Sequence, residues 1–422
     1  MTAIYQQEMT SCGCLAPTHE PRVSDHLPEI VSLIQKLIEN GNAYALEVGD
    51  GKKDVYFAVR SFPSYGKLSR RKIDDLLVGA RVERDELKRD PLDFALWKGA
   101  APAEWAWDSP WGRGRPGWHI ECSAMAGKYL HHGFDVHTGG MDLVFPHHEN
   151  EIAQSEASEP GAGDYVRCWM HNGFVNVDKE KMSKSLGNFV TVRDVLARND
   201  PEGFRWFLLA AHYRGPIQFD TEQLADGRVV FPGVDEAERR VDYLFATVER
   251  LTELTRAGLT APAKLPAELQ KYKSELESAE AQAEAALDDD LNTPVALAAL
   301  GEMTRVGNEA VMLAQKKKKD ASFVGAAGVL GRLTLLSIAR LTSQLGLMNV
   351  KPAAYAARVR ERRLSLRKLS ASSIEQQLAE RVEARKAKDF ARSDAIRDEL
   401  LALGVAISDG LDGSSSWVIT QG

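Results

Sequence analysis

Two observations place this 422-residue chain in a class that joins an α/β region to an all-α region. Phe134-Asp135-Val136-His137 reads as a strand entering a Gly139-Gly140 turn, and HHENEIAQSEA follows with Pro146 as its first helical residue; strand, glycine turn and helix in that order predict part of an α/β sheet. Beyond Pro232 the composition turns to helix formers, and Val241, Leu244, Phe245, Val248 and Leu251 line one face, which predicts a helical bundle. At ~150 residues per domain the chain holds about three modules.

The elements follow in order. PEIVSLIQKLIENGNAY, from Pro28, puts Ile30, Ile34, Leu37 and Ile38 at helical spacing and stops at Gly41. Val55 to Val59 is strand-like, and turn-rich stretches such as FPSYG with a dense mixture of charges from Lys67 to Asp90 make the region to Trp111 a small α+β insertion. Trp169 to Val177 reads as a further strand, followed by a charged loop, Asp178 to Asn188, and a helix near Val192 to Leu196. Asp235 and Glu238 make a capping box for the first bundle helix; a turn, Ala257 to Pro266, separates it from the second, and the long apolar helix Phe323 to Leu347 carries the bundle to about Met348. From Lys351 to Ser370 seven basic residues face one acid, Glu361, which predicts a basic face or linker where an anionic partner would touch. A helical hairpin, Ile374 to Leu403, and a β-like tail ending in SSSWVIT close the chain.

Composition narrows the function. With 44% hydrophobic and 27% charged residues the chain is neither disordered nor collagen-like. The sum of 53 Lys+Arg and 60 Asp+Glu, −7, argues against a uniformly basic nucleic-acid coat. The uncharged stretch Ala321 to Gly331 is well short of the ~20 apolar residues of a membrane span, and MTAIYQQEMTSCGC has no secretory pattern, so a cytoplasmic protein without membrane association is expected. Four cysteines, at 12, 14, 122 and 168, are too few for a disulfide scaffold.

Two constellations carry chemistry. In KMSKSLGN, Lys181 to Asn188, two ammonium groups three residues apart can neutralise a triphosphate and a departing pyrophosphate while Ser183 and backbone N–H groups contact phosphate. An arbitrary K-x-x-K is a solvated turn; five matched residues after a strand are far more specific. The second constellation is Trp118-His119-Ile120-Glu121-Cys122 with His137 and FPHHENE, in which His147 and Glu151 lie one helical turn apart, as paired metal ligands must, and Cys122 could complete a set suited to zinc. Spacing alone leaves open that Cys122 is a small buried apolar residue and His147 a surface residue; His148 is expected to be a supporting or surface group.

The blocks LAPTHEPR (Leu15 to Arg22), YGKLSRR, DPLDFALWK, RPGWHIECSAM, FDVHTGGMDLVFPHHENEIAQSEA, KMSKSLGN, DDDLNTPVALAAL and ARKAKDFARSDAIRDEL, in this order, resemble cysteinyl-tRNA synthetase, a class I aminoacyl-tRNA synthetase, from about Leu15 to the C-terminus. The resemblance implies a partial Rossmann-type catalytic domain with a connective insertion, then a helical bundle and a small anticodon-binding domain. It divides the chain into a remnant of a connecting segment (1–27), the insertion (28–112), the second Rossmann half (113–170), the KMSKS stem-contact segment (171–232), the bundle (233–350) and a basic linker with the anticodon-binding domain (351–422). It implies ATP-dependent activation of L-cysteine to cysteinyl adenylate and transfer to tRNA(Cys), with one Zn2+ per chain and Mg2+ accompanying ATP. Cys122, His147 and Glu151 match zinc ligands, Trp118 and His137 residues lining the amino-acid pocket, and Lys184, with Lys181 and Ser183 beside it, the ATP-contacting loop. Arg385, Phe390, Asp394 and Asp409 fall where the family contacts the anticodon, although an ordinary charged hairpin would look the same.

The family's first Rossmann half, with a further zinc-binding Cys and the HIGH signature, has no match: the only similar runs are H-x-G-F, at His131 and His171. A truncated or mis-started form is therefore expected, a monomer whose absent half is encoded upstream or supplied by another chain. A sheet without its leading strands should expose apolar surface and an unpaired edge. The alternatives are a tRNA-binding paralogue without catalysis and a ligase of the mycothiol type, the latter disfavoured by the long C-terminal region.

Overall fold

A computed structural model describes residues 2–49, 52–73, 88–178, 180–182, 189–225, 227–256, 265–409 and 415–420. It forms two compact units, residues 17–174 and residues 1–16 with 175–422, the latter including the N-terminal helix α1 (Thr2–Ser11).

In the unit 17–174, α2 (Leu27–Glu39) forms because Ile30, Ile34 and Leu37 recur on one face, all fully buried, and it ends where Gly41 takes a left-handed φ of 79°. It packs on a four-stranded antiparallel sheet of β1 (Ala43–Glu47), β2 (Lys53–Phe57), β3 (Phe94–Gly99) and β4 (Gly114–Pro116), in that spatial order. Val55, Phe57, Leu96 and Trp97 from the sheet meet Ile30, Ile34 and Ile120 in one core. Then come α3 (Trp118–Leu130), β5 (Phe134–Gly140), α4 (Glu149–Ser158) and β6 (Val166–Asn172); β5 and β6 pair in parallel from Phe134↔Val166 to Gly140↔Asn172. Among the described residues no strand covers the other edge of β5, and Val136 on it is 47% exposed.

In the second unit a three-stranded sheet orders β8 (Glu180–Lys181), β7 (Val175–Val177) and β9 (Ile217–Phe219), and β10 (Glu222–Gln223) pairs antiparallel with β11 (Val229–Val230). The strand expected from Trp169 to Val177 is thus two strands, β6 and β7, in different units. Helix α5 (Val192–Leu196) starts with a Thr191–Asp194 capping box, and α6 (Pro201–Leu209) is capped by the Asp200 side chain. The bundle is α7 (Pro232–Arg256), α8 (Ala267–Asp288), α9 (Thr293–Lys316) and α10 (Ala321–Leu345). Helix α10 is long and apolar enough to cross a membrane, but Phe323, Ala326, Ala327, Leu330, Ile338 and Leu341 bury it in the bundle core.

Two expectations are corrected here. Asp235 and Glu238 do not cap a helix: α7 begins at Pro232, both acids lie within it, and they accept hydrogen bonds from Asn199 Nδ2 at 2.7 and 3.2 Å. The stretch from Lys351 is neither linker nor open basic face. It is α11 (Pro352–Arg367), whose Arg358, Arg362 and Arg363 are spent on Asp200, Glu238 and Asp242. A terminal module of α12 (Ala371–Lys386), α13 (Phe390–Ala402) and the hairpin β12 (Val405–Asp409) with β13 (Ser415–Ile419) closes around Ile374, Leu378, Ile396, Leu400, Val405, Trp417 and Ile419.

Candidate metal and amino-acid site

The site lies within the unit 17–174. Gly117 precedes α3 where any Cβ would stand 2.0 Å from the Ala95 carbonyl oxygen, so only glycine brings Trp118 to the start of the helix at this depth. From there Trp118 and Cys122 are one turn apart, with His119 between them. Opposite, α4 begins at Glu149 rather than at Pro146. Pro146 lies in a wider five-residue turn, Val144–His148, in which Phe145 is extended (φ −140°, ψ 131°), so Pro146 is not the first residue of a regular helix. The one-turn relation of His147 and Glu151 survives this.

Five successive polar residues, His147 to Glu151, are buried, with Glu149 and Glu151 fully inaccessible. Such burial is costly unless each group is partnered. Glu149 accepts from the backbone N–H groups of Gly66 at 2.9 Å and Ser69 at 2.8 Å, which ties the YGKLSRR loop to α4, and Tyr65 donates to Asn150 Oδ1 at 2.5 Å. His148 Nδ1 meets His171 Nε2 at 2.8 Å. Its ring lies so close to the backbone that a Cβ on Gly139 would fall 2.6 Å from His148 Cε1.

Glu151 holds the centre. His137 Nε2 lies 2.9 Å from Oε2, and His147 Nε2 lies 3.0 Å from Oε1. Among the described residues Oε1 is nevertheless buried without a well-aligned hydrogen bond. The Cys122 thiol, a His147 nitrogen and a Glu151 oxygen lie within 4.8 Å of one another, as do ligand atoms of His137, His148 and Glu151. His119 Nδ1 meets His147 Nδ1 at 2.9 Å, which leaves His147 Nε2 directed at the carboxylate. The Trp118 indole stacks on His147 at 4.4 Å, and Trp169 stacks on His137 at 4.7 Å.

Glu151 carries the negative charge of the cluster. Burial, then Glu151 and Glu121, push the Cys122 thiol up to about 12. Burial lowers His119 and His148 to about 4, so both are neutral imidazoles. For Glu151 burial acts to raise the carboxyl, but His137 and His147 outweigh it and hold it below the ordinary value. One soft sulfur, one imidazole and one orphaned carboxylate oxygen are donors suited to zinc.

The remaining expected residues lie elsewhere. Lys181 is on β8 in the second unit, and Ser183 and Lys184 are outside the described residues. Arg385 is in the last turn of α12; Phe390, 63% exposed, opens α13; Asp394 pairs with Arg397 at 3.2 Å; Asp409 ends β12. Sequence pattern assigns no role to His119, Trp169 or His171 and leaves His148 between a supporting and a surface role; it is buried. His119 was detectable, since it shares a helical face with Cys122 at i, i+3. Trp169 and His171 were not, because only the register of β6 beside β5 brings them to the cluster.

Residues 1–228 match the catalytic domain of class I (C) tRNA synthetases, residues 282–334 a DALR domain, and residues 370–417 a cysteinyl-tRNA ligase anticodon binding domain. A cysteine–tRNA ligase from Anaeromyxobacter dehalogenans is 50% identical over 97% of this chain and 79% of its own length, and one from Pelobacter propionicus 45% identical over 97% and 80%. Among solved structures, Mycobacterium tuberculosis methionyl-tRNA synthetase with methionyl-adenylate shares the fold, with a TM-score of 0.57 at 14% identity over 82% of this chain and 78% of that one.

Proposed function

The chain belongs to the cysteinyl-tRNA synthetase family of ATP-dependent cysteine–tRNA ligases, and on that premise we propose how its residues divide the work. Cys122, His147 and Glu151 hold Zn2+, and the observation that carries this assignment is the buried Glu151 Oε1, which has no well-aligned hydrogen bond among the described residues, beside the other two donors. The ion, when bound, supplies a soft Lewis acid that prefers a thiolate to a hydroxyl, so L-cysteine is separated from serine without editing. His119 directs the His147 ring, and His137 holds the Glu151 carboxylate from its other oxygen. Trp118 and His137 line the amino-acid pocket.

In the proposed reaction the cysteine carboxylate attacks the α-phosphate of ATP in line, cysteinyl adenylate forms, and pyrophosphate leaves with Mg2+. The ammonium groups of Lys181 and Lys184, with the Ser183 hydroxyl, neutralise the charge that gathers on the leaving phosphates. The adenylate is then attacked by a hydroxyl of the tRNA 3′ end, releasing AMP. Residues 171–232 support the stem, 233–350 form the bundle, and Arg385, Phe390, Asp394 and Asp409 meet the anticodon, with the exposed Phe390 ring offering a face on which a base can stack.

The test is cysteine-dependent ATP–pyrophosphate exchange and charging of tRNA(Cys). Exchange supported by cysteine and not by serine, and abolished by chelation, is expected. Equal use of serine, or exchange indifferent to chelation, would overturn the zinc assignment.

A further inference from the structure

Helix α11 carries two sets of arginines with different targets. Arg358 and Arg362, one turn apart, face the fully buried Asp200 at the start of α6: Arg358 is bidentate, at 2.8 and 2.9 Å, and Arg362 adds a bond of 2.6 Å. Arg360, Arg363 and Arg367, spaced three and four apart, face the terminal module. Arg360 lies over the Trp417 ring at 4.4 Å, and Arg367 donates to the carbonyls of Leu403 at 2.6 Å and Thr420 at 2.7 Å. These bonds reach backbone atoms, so they fix the position of the module whatever its side chains.

Among the described residues, Arg363 alone of the five bonds both sides. One nitrogen donates to the Ile419 carbonyl of β13 at 3.0 Å, and the other to Glu238 Oε1 at 2.7 Å and Asp242 Oδ2 at 2.6 Å, both on α7. Its side chain is only 11% exposed. Glu238 also accepts from the Asp200 backbone N–H at 2.9 Å, so the same carboxylate grips the start of α6. A planar guanidinium can serve three acceptors on two elements; a lysine ammonium on a flexible stem cannot hold that geometry.

From this junction we propose that Arg363 is a positioning residue for tRNA selection, locking the terminal module to the bundle in the orientation from which the anticodon is read. The proposal rests on the family reading of residues 370–417 as the anticodon-binding domain. Arg363 touches no RNA in this account; it acts through the placement of α12, α13 and the hairpin.

The test measures binding of tRNA(Cys) and of the same tRNA with a changed anticodon by the whole chain and by the variants Arg363→Met, Arg363→Lys and Arg358→Met. R363M should weaken binding of the cognate tRNA on the order of tenfold and collapse the ratio between the two RNAs. R363K should recover only part of that ratio. R358M, which loses Asp200 but not the module, should lower the melting temperature and keep the ratio. A retained ratio in R363M, or equal collapse in R358M, would overturn the proposal. A wild-type chain without anticodon preference would instead overturn the domain reading, and the proposal with it. Should R363M fail to fold, Arg367→Met, which removes only the two carbonyl bonds to the module, carries the same expectation and the same refutation.

Discussion

His147 Nε2 stands 3.0 Å from Glu151 Oε1, across one helical turn, with no well-aligned hydrogen bond among the described residues satisfying that oxygen. Two ligand atoms held together in a buried pocket beside the Cys122 thiol favour a cation between them. Glu151→Gln keeps the shape of the side chain and removes the charge. Its zinc affinity should fall by more than the ~10–100-fold that loss of a supporting group costs a metal site. Zinc content after dialysis against a graded chelator series measures this.

Gly139 allows His148 to lie against β5. A methyl group there would stand 2.6 Å from His148 Cε1 and 3.0 Å from Nε2, and the backbone cannot yield without shifting the β5–β6 register. Gly139→Ala should therefore displace His148 and its partner His171, costing ~1–3 kcal/mol and lowering zinc affinity as well. Thermal melts with and without zinc separate the two effects, since a purely structural loss leaves the zinc-induced shift in melting temperature unchanged.

Lys184 is proposed to meet the departing pyrophosphate. Lys184→Ala should lower kcat for cysteine-dependent pyrophosphate exchange ~10²–10³-fold, with a much smaller change in KM for cysteine. Loss confined to KM for cysteine would mean that the lysine serves the amino acid instead.

Asp200 provides the pH dependence. Burial acts to raise its carboxyl, but hydrogen bonds from Arg358 and Arg362 outweigh this and hold it below its ordinary value of 3.8. Because the folded value is the lower one, the stabilisation is fully present above about pH 4 and is lost as pH falls through the folded value. Asp200→Asn, which leaves two arginines facing a neutral amide, should be destabilised by ~3–5 kcal/mol near neutrality. That gap to wild type should close below about pH 4, as melting temperatures across the acid range would report.

Much of this was legible in the sequence because it is local. The helix of Ile30, Ile34 and Leu37 was legible because periodicity is a property of neighbours, and the His147–Glu151 pair because one turn spans four residues. What escaped depends on distant partners. Seven basic residues in twenty look like a surface, and only the fold shows that Asp200, Glu238 and Asp242 consume Arg358, Arg362 and Arg363. Asp235 and Glu238 have capping-box spacing, yet the helix starts a turn earlier, and the buried acids answer Asn199 instead. His171 joins the cluster through the pairing of Gly139 with it across parallel strands, a relation no spacing rule contains.

Cys122, His147 and Glu151 are proposed to hold a metal that reads the substrate thiol. Cobalt(II), which replaces zinc in such sites, tests it most directly through its absorption spectrum, without requiring turnover. The chain loaded with cobalt should show a sulfur-to-metal charge-transfer band that Cys122→Ala removes, and added L-cysteine should intensify the band while serine leaves it unchanged. A band that survives in Cys122→Ala, or an equal response to cysteine and serine, would contradict the claim.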